Sequence, residues 1–334
     1  MKMTILITIN GVKLKIYLIT AETYFIKVVT LKVLITGGTG LIGSALAKKL
    51  TERGDSAVIA SRNKSGNGYI NWDPYDHNSL KIPGGTDAII HLAGAPLFGQ
   101  KWTEDYKKEI IESRVAGTVT VLNAIRKYRG NLSSFISGSG CGYYGDRGQT
   151  KISEQNDPGD NFMAKLYIEW EKVVWTYAED TMFGTGPAVS TVRTGMVLSR
   201  EGGILKRILN PFSFFKPFKM GLGGYPGNGE QYMPWIHIED EVGILLHILD
   251  RKLEGPYNLT APNPVTGRKF SKTLGSVLNR PVLLPIPRFI LERIYGEAAK
   301  IFFTSQRVLP GAIMEKNYKF KFPEIKPALE DLLG

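Results

Sequence analysis

Residues 31–43, LKVLITGGTGLIG, run a short apolar stretch into three glycines, Gly37, Gly40 and Gly43, spaced three apart. No other stretch constrains the fold as tightly. Lys32–Thr36 reads as a buried strand, and Leu41–Arg53 keeps a helical period with Leu41, Ile42, Ala45, Leu46 and Leu50 on one face. A strand, a tight glycine turn and a helix N-terminus together make an anion site, because free N–H groups and the positive end of the helix dipole converge there. Gly37 lets the chain turn, Gly40 admits a phosphate close to the backbone, and Gly43 lets helix and strand touch. An ordinary glycine-rich turn can share this spacing, but the flanking strand and helix favour a dinucleotide pyrophosphate.

From residue 32 onward strands and helices alternate, the pattern of a parallel sheet with helices on both faces. Ser56–Ala60, Tyr69–Trp72, Ala88–Leu92, Ser134–Ser137 and Ala188–Arg193 read as further strands. Glu104–Tyr128, with a break near Gly117, and Phe162–Ala178 read as helices. Ligands of such sheets bind at the carboxyl ends of the strands, where the glycine turn, Leu92–Pro96, Ser137–Tyr144 and Arg193–Met196 all fall. Residues 210–236, rich in Gly, Pro and Phe, break the alternation and are expected to cover the far side of the cleft. Beyond them, helices are expected at Glu239–Leu249, Lys269–Leu278, Arg288–Phe303 and near Pro327–Leu333, with strands at Pro256–Leu259 and Val282–Pro285.

The net charge of +11 does not mark a nucleic-acid binder, because it is spread along the chain with no accompanying motif. Residues 1–32 alone contribute Lys2, Lys13, Lys15, Lys27 and Lys32 against Glu22. The single cysteine, Cys141, excludes a disulfide framework and fits a reducing cytoplasm. Four scattered histidines and no CxxC argue against a metal site. No run approaches the roughly 20 apolar residues that span a bilayer. Ahead of the glycine strand, TILITI and VKLKIYLI flank Asn10-Gly11, a two-residue hairpin signal. This segment either adds a ribbon to the fold or is a leader ahead of a functional start near Leu31; it lacks the pattern of a secretory signal.

Several spaced motifs extend the reading. GGTGLIG, HLAG, SGSGCGYYG and PWIHIED together resemble the extended and atypical short-chain dehydrogenase/reductases. ESRVAGT (112–118), WEK (170–172), RTGMVLSREGG (193–203), GLGGYPGNGEQYMPWIHIED (221–240), GPYNLTAPNPVT (255–266) and QRVLP (306–310) resemble the YfcH-type epimerase-family proteins among them. The resemblance covers about residues 31–334 and implies an α/β Rossmann-type doubly wound sheet with a smaller C-terminal α+β substrate lobe. It divides the chain into an extra β-rich segment (1–30), a Rossmann domain (31–250) and a C-terminal lobe (251–334). It also implies bound NADP(H), with contacts from Gly37, Thr39, Gly40, Leu41, Ile42 and Gly43, from Leu92, Ala93 and Gly94, and from Arg114. It settles no substrate, a sugar-like small molecule being one candidate, and no oligomeric state.

The chemistry is less plain. Relatives of this kind use a hydroxyl at the end of the fifth strand, then a Tyr and a Lys four residues apart on the next helix, the Lys lowering the phenol pKa. Ser137 and Ser139 are candidates for the hydroxyl, but in NFMAKLYIEWEK no Tyr precedes a Lys by four. Tyr143 (or Tyr144) and Lys165 are the substitutes, against loop packing and a solvated helix position as the plainer alternatives. Cys141 has no nearby His in sequence to activate it. Asp240 is expected to cap the following helix and His237 to hold the adjoining loop. Arg193, Gln231 and Trp235 are the expected substrate contacts, with a structural ion pair the competing role for Arg193. The second strand ends in Ser61-Arg62-Asn63 with no acid between Asp55 and Asp73, so Ser61 and Arg62 suit the 2′-phosphate of NADP rather than the 2′-hydroxyl of NAD. The sequence thus supports an NADP(H)-dependent oxidoreductase or epimerase in the cytoplasm, or a cofactor-binding sensor that has lost turnover.

Overall fold

Seven apolar runs between residues 32 and 259 become the strands of one parallel sheet. The computed structural model describes residues 3–9, 12–20, 23–28, 30–181, 186–209 and 223–334. At the start β1 (Met3–Ile9), β2 (Val12–Thr20) and β3 (Thr23–Val28) form a separate antiparallel sheet. β1 and β2 pair with Ile9 opposite Val12, as the hairpin reading requires, and the Asn10-Gly11 turn lies outside the described residues. β3 was not anticipated from the sequence.

The alternating part follows as β4 (Lys32–Thr36), α1 (Leu41–Glu52), β5 (Ser56–Ser61), β6 (Tyr69–Asn71), β7 (Ala88–His91), α2 (Glu104–Lys127), β8 (Ser134–Gly140), β9 (Lys151–Ile152), α3 (Phe162–Thr181) and β10 (Ala188–Thr194). Next come β11 (Met196–Leu198), α4 (Gly203–Leu209), β12 (Gly223–Pro226), β13 (Tyr232–Met233), β14 (Trp235–His237), α5 (Ile238–Arg251) and β15 (Gly255–Leu259). The chain closes with β16 (Val265–Thr266), α6 (Gly267–Val277), β17 (Val282–Ile286), α7 (Arg288–Tyr295), a 3-10 segment (Gly296–Phe303), β18 (Arg307–Val308), α8 (Gly311–Glu315) and α9 (Ile325–Leu333).

The large sheet has seven parallel strands in the order β15-β10-β8-β7-β4-β5-β6. From β4 the chain first builds outward through β5 and β6, then returns to β7 on the other side. That reversal opens a crevice between the carboxyl ends of β4 and β7, where Thr36 stands opposite His91. The sheet also takes in β15, which lies beyond the expected domain limit at residue 250. Helix α5 acts as the crossover that returns the chain to set β15 beside β10.

Apolar side chains fill both faces of the sheet. Val33, Ile35, Leu46, Ile90 and the α5 face Ile244, Leu245 and Ile248 pack on one side. Leu34, Ile89, Phe135, Val121, Ile125 and Val174 pack on the other. Helix α2 runs unbroken past Gly117, contrary to the expected break, because the packing favours close passage over His91 and Trp72 there. Thr103 caps this helix, its hydroxyl accepting from the Tyr106 N–H at 3.2 Å. The helix expected over Arg288–Phe303 stops at Gly296 and continues as the 3-10 segment. Among the described residues no helix is long and apolar enough to cross a membrane.

Candidate active site

The strand–turn–helix unit is built as its glycines demand. Gly37 has a φ of 71°, and a Cβ on it would meet the backbone carbon of Leu92 at 2.7 Å. A Cβ on Gly43 would meet the Gly37 carbonyl oxygen at 2.4 Å, so no side chain fits between α1 and the turn. Gly40 occupies the N-cap of α1 without any side-chain cap, and the first turn carries no acid. The orphan N–H groups there are therefore left for something other than the protein's own side chains.

This turn forms one end of a cleft of about 680 Å³. Gly37, Gly40, Leu41, Ile42, Gly43 and Leu92 line that end, while Thr194, Gly195 and Met196 line its middle at the carboxyl end of β10. Thr39 and Gly94 are exposed beside it, and Ala93 is half-buried. Ser61 ends β5 on the same edge of the sheet, and Arg62 beyond it is exposed with no ion pair among the described residues. Arg114 lies under the HLAG loop, where a Cβ on Gly94 would meet its guanidinium carbon at 2.9 Å. It is buried against Trp170, and its Nε has no hydrogen-bond partner among the described residues. Its Nη1 donates to the Ile110 carbonyl, and no carboxylate pairs with it among the described residues. Burial works against that charge, so a buried cation stands without a carboxylate partner among the described residues under the HLAG loop. The residues fit a dinucleotide: an open helix N-terminus, a side-chain-free approach and an orphaned cation all favour an anion.

Beneath the crevice, His91 bridges Thr36 at 2.6 Å and Thr118 at 3.1 Å. Burial, reinforced by Arg114, lowers its pKa to about 3 and keeps it neutral. It is a structural hydrogen-bond hub rather than a general base.

The structure places most of the expected catalytic and substrate residues away from the cleft. Ser139 donates to Glu171 Oε1 at 2.5 Å. Arg193 grips the same carboxylate with Nε and Nη2, both at 2.8 Å, and lies 3.6 Å above the Tyr143 ring. Arg193 Nη1 also donates to the Tyr144 hydroxyl, which donates in turn to Asn258 Oδ1 at 2.7 Å. Arg193 is thus consumed by a buried ion pair and is not available to an anionic substrate. Tyr143 is stacked under that guanidinium rather than lining the cleft, and Ser137 turns its hydroxyl to the Gly138 carbonyl. Lys165 is exposed and outside the lining, because the helix turns it away from the cleft. The cleft-facing positions of α3, four apart, are Met163 and Tyr167.

Trp235 is fully buried in the C-terminal core, with its Nε1 on the Asn263 carbonyl at 3.2 Å. Gln231 straps two segments together, its amide donating to the carbonyls of Pro226 and Phe302 at 3.1 and 2.8 Å. Cys141 reaches the cleft edge but donates to the Arg193 carbonyl, and burial pushes its thiol well up. His237, not Asp240, caps α5, accepting from the Glu239 N–H at 3.1 Å. Asp240 instead accepts from the N–H groups of Lys321 and Phe322, both at 2.8 Å, and anchors the C-terminal segment.

Tyr167 is the cleft residue that motif matching passes over, because no Lys follows it by four. The helical period alone would have found it, one turn beyond Met163. Its ring lies over Gly140 and Gly142, stacks on Trp170 with an interplanar angle of 19°, and its hydroxyl has no hydrogen-bond partner among the described residues.

Comparison with known proteins agrees with this fold. Residues 33–260 match the NAD dependent epimerase/dehydratase family, and residues 286–332 match a domain of unknown function, DUF1731. The chain is 33% identical over 310 residues to the epimerase family protein SDR39U1 of Mus musculus, covering 91% of this chain and 100% of that protein. It is similar to the crystal structure of human epimerase family protein SDR39U1 with NADPH, with a TM-score of 0.82 and 32% identity, covering 91% of this chain and 99% of that one. It is also similar to a nucleoside-diphosphate sugar epimerase from Corynebacterium glutamicum, with a TM-score of 0.72 and 29% identity, covering 92% of this chain and 59% of that one.

Proposed function

The chain belongs to the NAD dependent epimerase/dehydratase family, and from that premise we propose that it binds NADP(H) at the glycine end of the cleft and transfers hydride to or from a small molecule held at the other end. The observation that carries this reading is the uncapped, acid-free N-terminus of α1 opening into the cleft, with Arg62 just past the end of the neighbouring strand β5, exposed and without an ion pair among the described residues. The backbone of Gly37, Thr39, Gly40, Leu41, Ile42 and Gly43 receives the pyrophosphate. Leu92, Ala93 and Gly94 wall it, and the buried Arg114 supplies compensating charge. Ser61 and Arg62 take the 2′-phosphate. The bound nicotinamide supplies or accepts the hydride. NADPH in the related human structure supports the choice of phosphate-bearing cofactor.

A second reading, an NADP(H)-binding sensor without turnover, draws support from the dispersal of Ser139, Tyr143 and Lys165 around a structural ion pair. Steady oxidation of NADPH by any small-molecule acceptor counts against it.

Titration of the apo protein with NADPH and NADH at low ionic strength tests the main reading. A charge-assisted contact of about 1.5–3 kcal/mol gives a preference for NADPH of roughly ten- to hundredfold, lost in Arg62→Ala. Equal affinities for the two cofactors in the parent protein would overturn the NADP(H) assignment.

A further inference from the structure

The far half of the cleft has a chemical character of its own. Leu97, Phe98, Leu291, Tyr295, Ile301 and Phe302 line it, drawn from the loop after β7, from α7 and from the 3-10 segment. Phe98 meets Tyr295 at 6.2 Å and Phe302 at 5.8 Å between ring centroids, and Tyr295 meets Phe302 at 5.2 Å, forming an aromatic corner. Across the whole cleft, the described lining residues include no Asp, Glu, Lys, Arg or His.

Two nearby cations are paired, while Arg114, with no carboxylate partner among the described residues, lies over Trp170 outside the lining. Lys107 of α2 pairs with Glu297 at 3.0 Å and Glu104 at 2.6 Å, tying the 3-10 segment to α2 from outside the cleft. Arg193 and Glu171 neutralise each other below the loop that follows β8. The polar groups of the lining are mostly committed as well. The Gln306 amide donates to the carbonyls of Cys141 and Gly145 at 2.8 and 2.9 Å, and the Thr304 hydroxyl donates to Lys300. Asn161 accepts from the Ala164 N–H. The Tyr167 hydroxyl has no partner among the described residues.

A sugar diphosphate bound here would bury two phosphates against Phe and Leu side chains with no cation among the described lining residues to meet them, at a cost its hydroxyls could not recover. A flat or chain-like apolar body would gain area against the aromatic corner, and an oxygen on it would satisfy the Tyr167 hydroxyl. We propose that this half of the cleft binds an uncharged, largely apolar molecule carrying one carbonyl oxygen, which accepts a hydrogen bond from the Tyr167 hydroxyl. The assignment rests on the cofactor reading only in taking the glycine end as occupied.

Matched probes test it by calorimetry on the full chain with and without NADPH: naphthalene, 2-acetylnaphthalene, 2-naphthoate and UDP-glucose. The ketone should bind more tightly than naphthalene, and 2-naphthoate should bind at least about a hundredfold more weakly than the ketone, because its carboxylate is desolvated without a partner. UDP-glucose should bind no more tightly than naphthoate. Tyr167→Phe should weaken the ketone about three- to tenfold and leave naphthalene unchanged, while Phe98→Ala should weaken both. Naphthoate or UDP-glucose binding as tightly as the ketone, a ketone that NADPH displaces, or a Tyr167→Phe protein with full ketone affinity would overturn the proposal. Absence of NADPH binding, with the ketone pattern intact, would remove the cofactor reading and leave this one standing.

Discussion

The glycine end of the cleft is made almost entirely of backbone from one contiguous stretch, whereas the network around Arg193 is made of side chains from four separated ones. In the first, Gly37, Gly40 and Gly43 work by what they lack, leaving N–H groups and empty space. In the second, Ser139, Tyr144, Glu171, Arg193 and Asn258 satisfy one another and leave nothing for a ligand. Both lie at carboxyl ends of strands of one sheet, the position that ordinarily marks function. The difference shows that position alone does not make a site: the polar groups must also be left unfinished.

Opposite effects of two substitutions would sharpen that contrast. Arg193→Met leaves the Glu171 carboxylate and the Tyr144 hydroxyl without their buried partner, and should cost about 3–5 kcal/mol of stability. Affinity for NADPH should survive in the folded fraction. Urea titration of the two proteins reads the loss directly. A loss below about 1 kcal/mol, the range of an exposed pair, would mean that the network is not what holds this part of the molecule.

Gly40→Val should behave in the reverse way. Gly40 has a φ of −81°, and a Cβ there would meet only the Gly37 carbonyl oxygen, at 3.2 Å. The fold can accommodate the side chain with a small shift, but the isopropyl group would stand where the phosphate approaches. The expected cost is about 2 kcal/mol in cofactor binding, roughly thirtyfold in Kd, with little change in the urea midpoint. Parent-like NADPH affinity in a folded Gly40→Val protein would break the anion-site argument.

These two regions also explain what the sequence could reveal. The strand, turn and helix of 32–52 are local, so spacing alone located them, and β5, β7, β8, β10 and α5 followed from their apolar runs to within a few residues. The partner of Arg193 was not legible, because Glu171 lies 22 residues away on a different element. The ion pair was anticipated as a competing role, but only the fold identifies the carboxylate. Trp235 and Gln231 were misplaced for a related reason. They sit in an irregular segment that looks like a cleft wall in sequence, yet one fills a core and the other bridges two carbonyls. Tyr167 was hidden by reliance on a Tyr–Lys spacing that this chain does not have.

Glu241 gives the smallest and most specific expectation, at the seam between the two regions. It sits in the first turn of α5, fully buried, with Oε1 accepting from the Thr194 hydroxyl at 2.8 Å and Oε2 without a partner among the described residues. Thr194 lines the cleft, so this carboxyl supports its floor. Burial raises the Glu241 pKa to about 8 from 4.5, against the smaller lowering effect of Thr194. Nearby Cys141 and Tyr318 are pushed up by burial and stay neutral through this range. The unfolded chain therefore releases the proton near pH 4.5, while the native protein keeps it until about pH 8. Between those values the native state binds more protons than the unfolded state, so this group makes stability fall as pH rises. One proton sets the limit at about 1.4 kcal/mol per pH unit. Glu241→Gln keeps an acceptor for Thr194 and removes the titration. Its stability relative to the parent should improve steadily from pH 5 to pH 8, when both are followed by urea unfolding. A constant difference across that range would show that Glu241 is ionised in the native protein, and the cleft floor would then carry a charge.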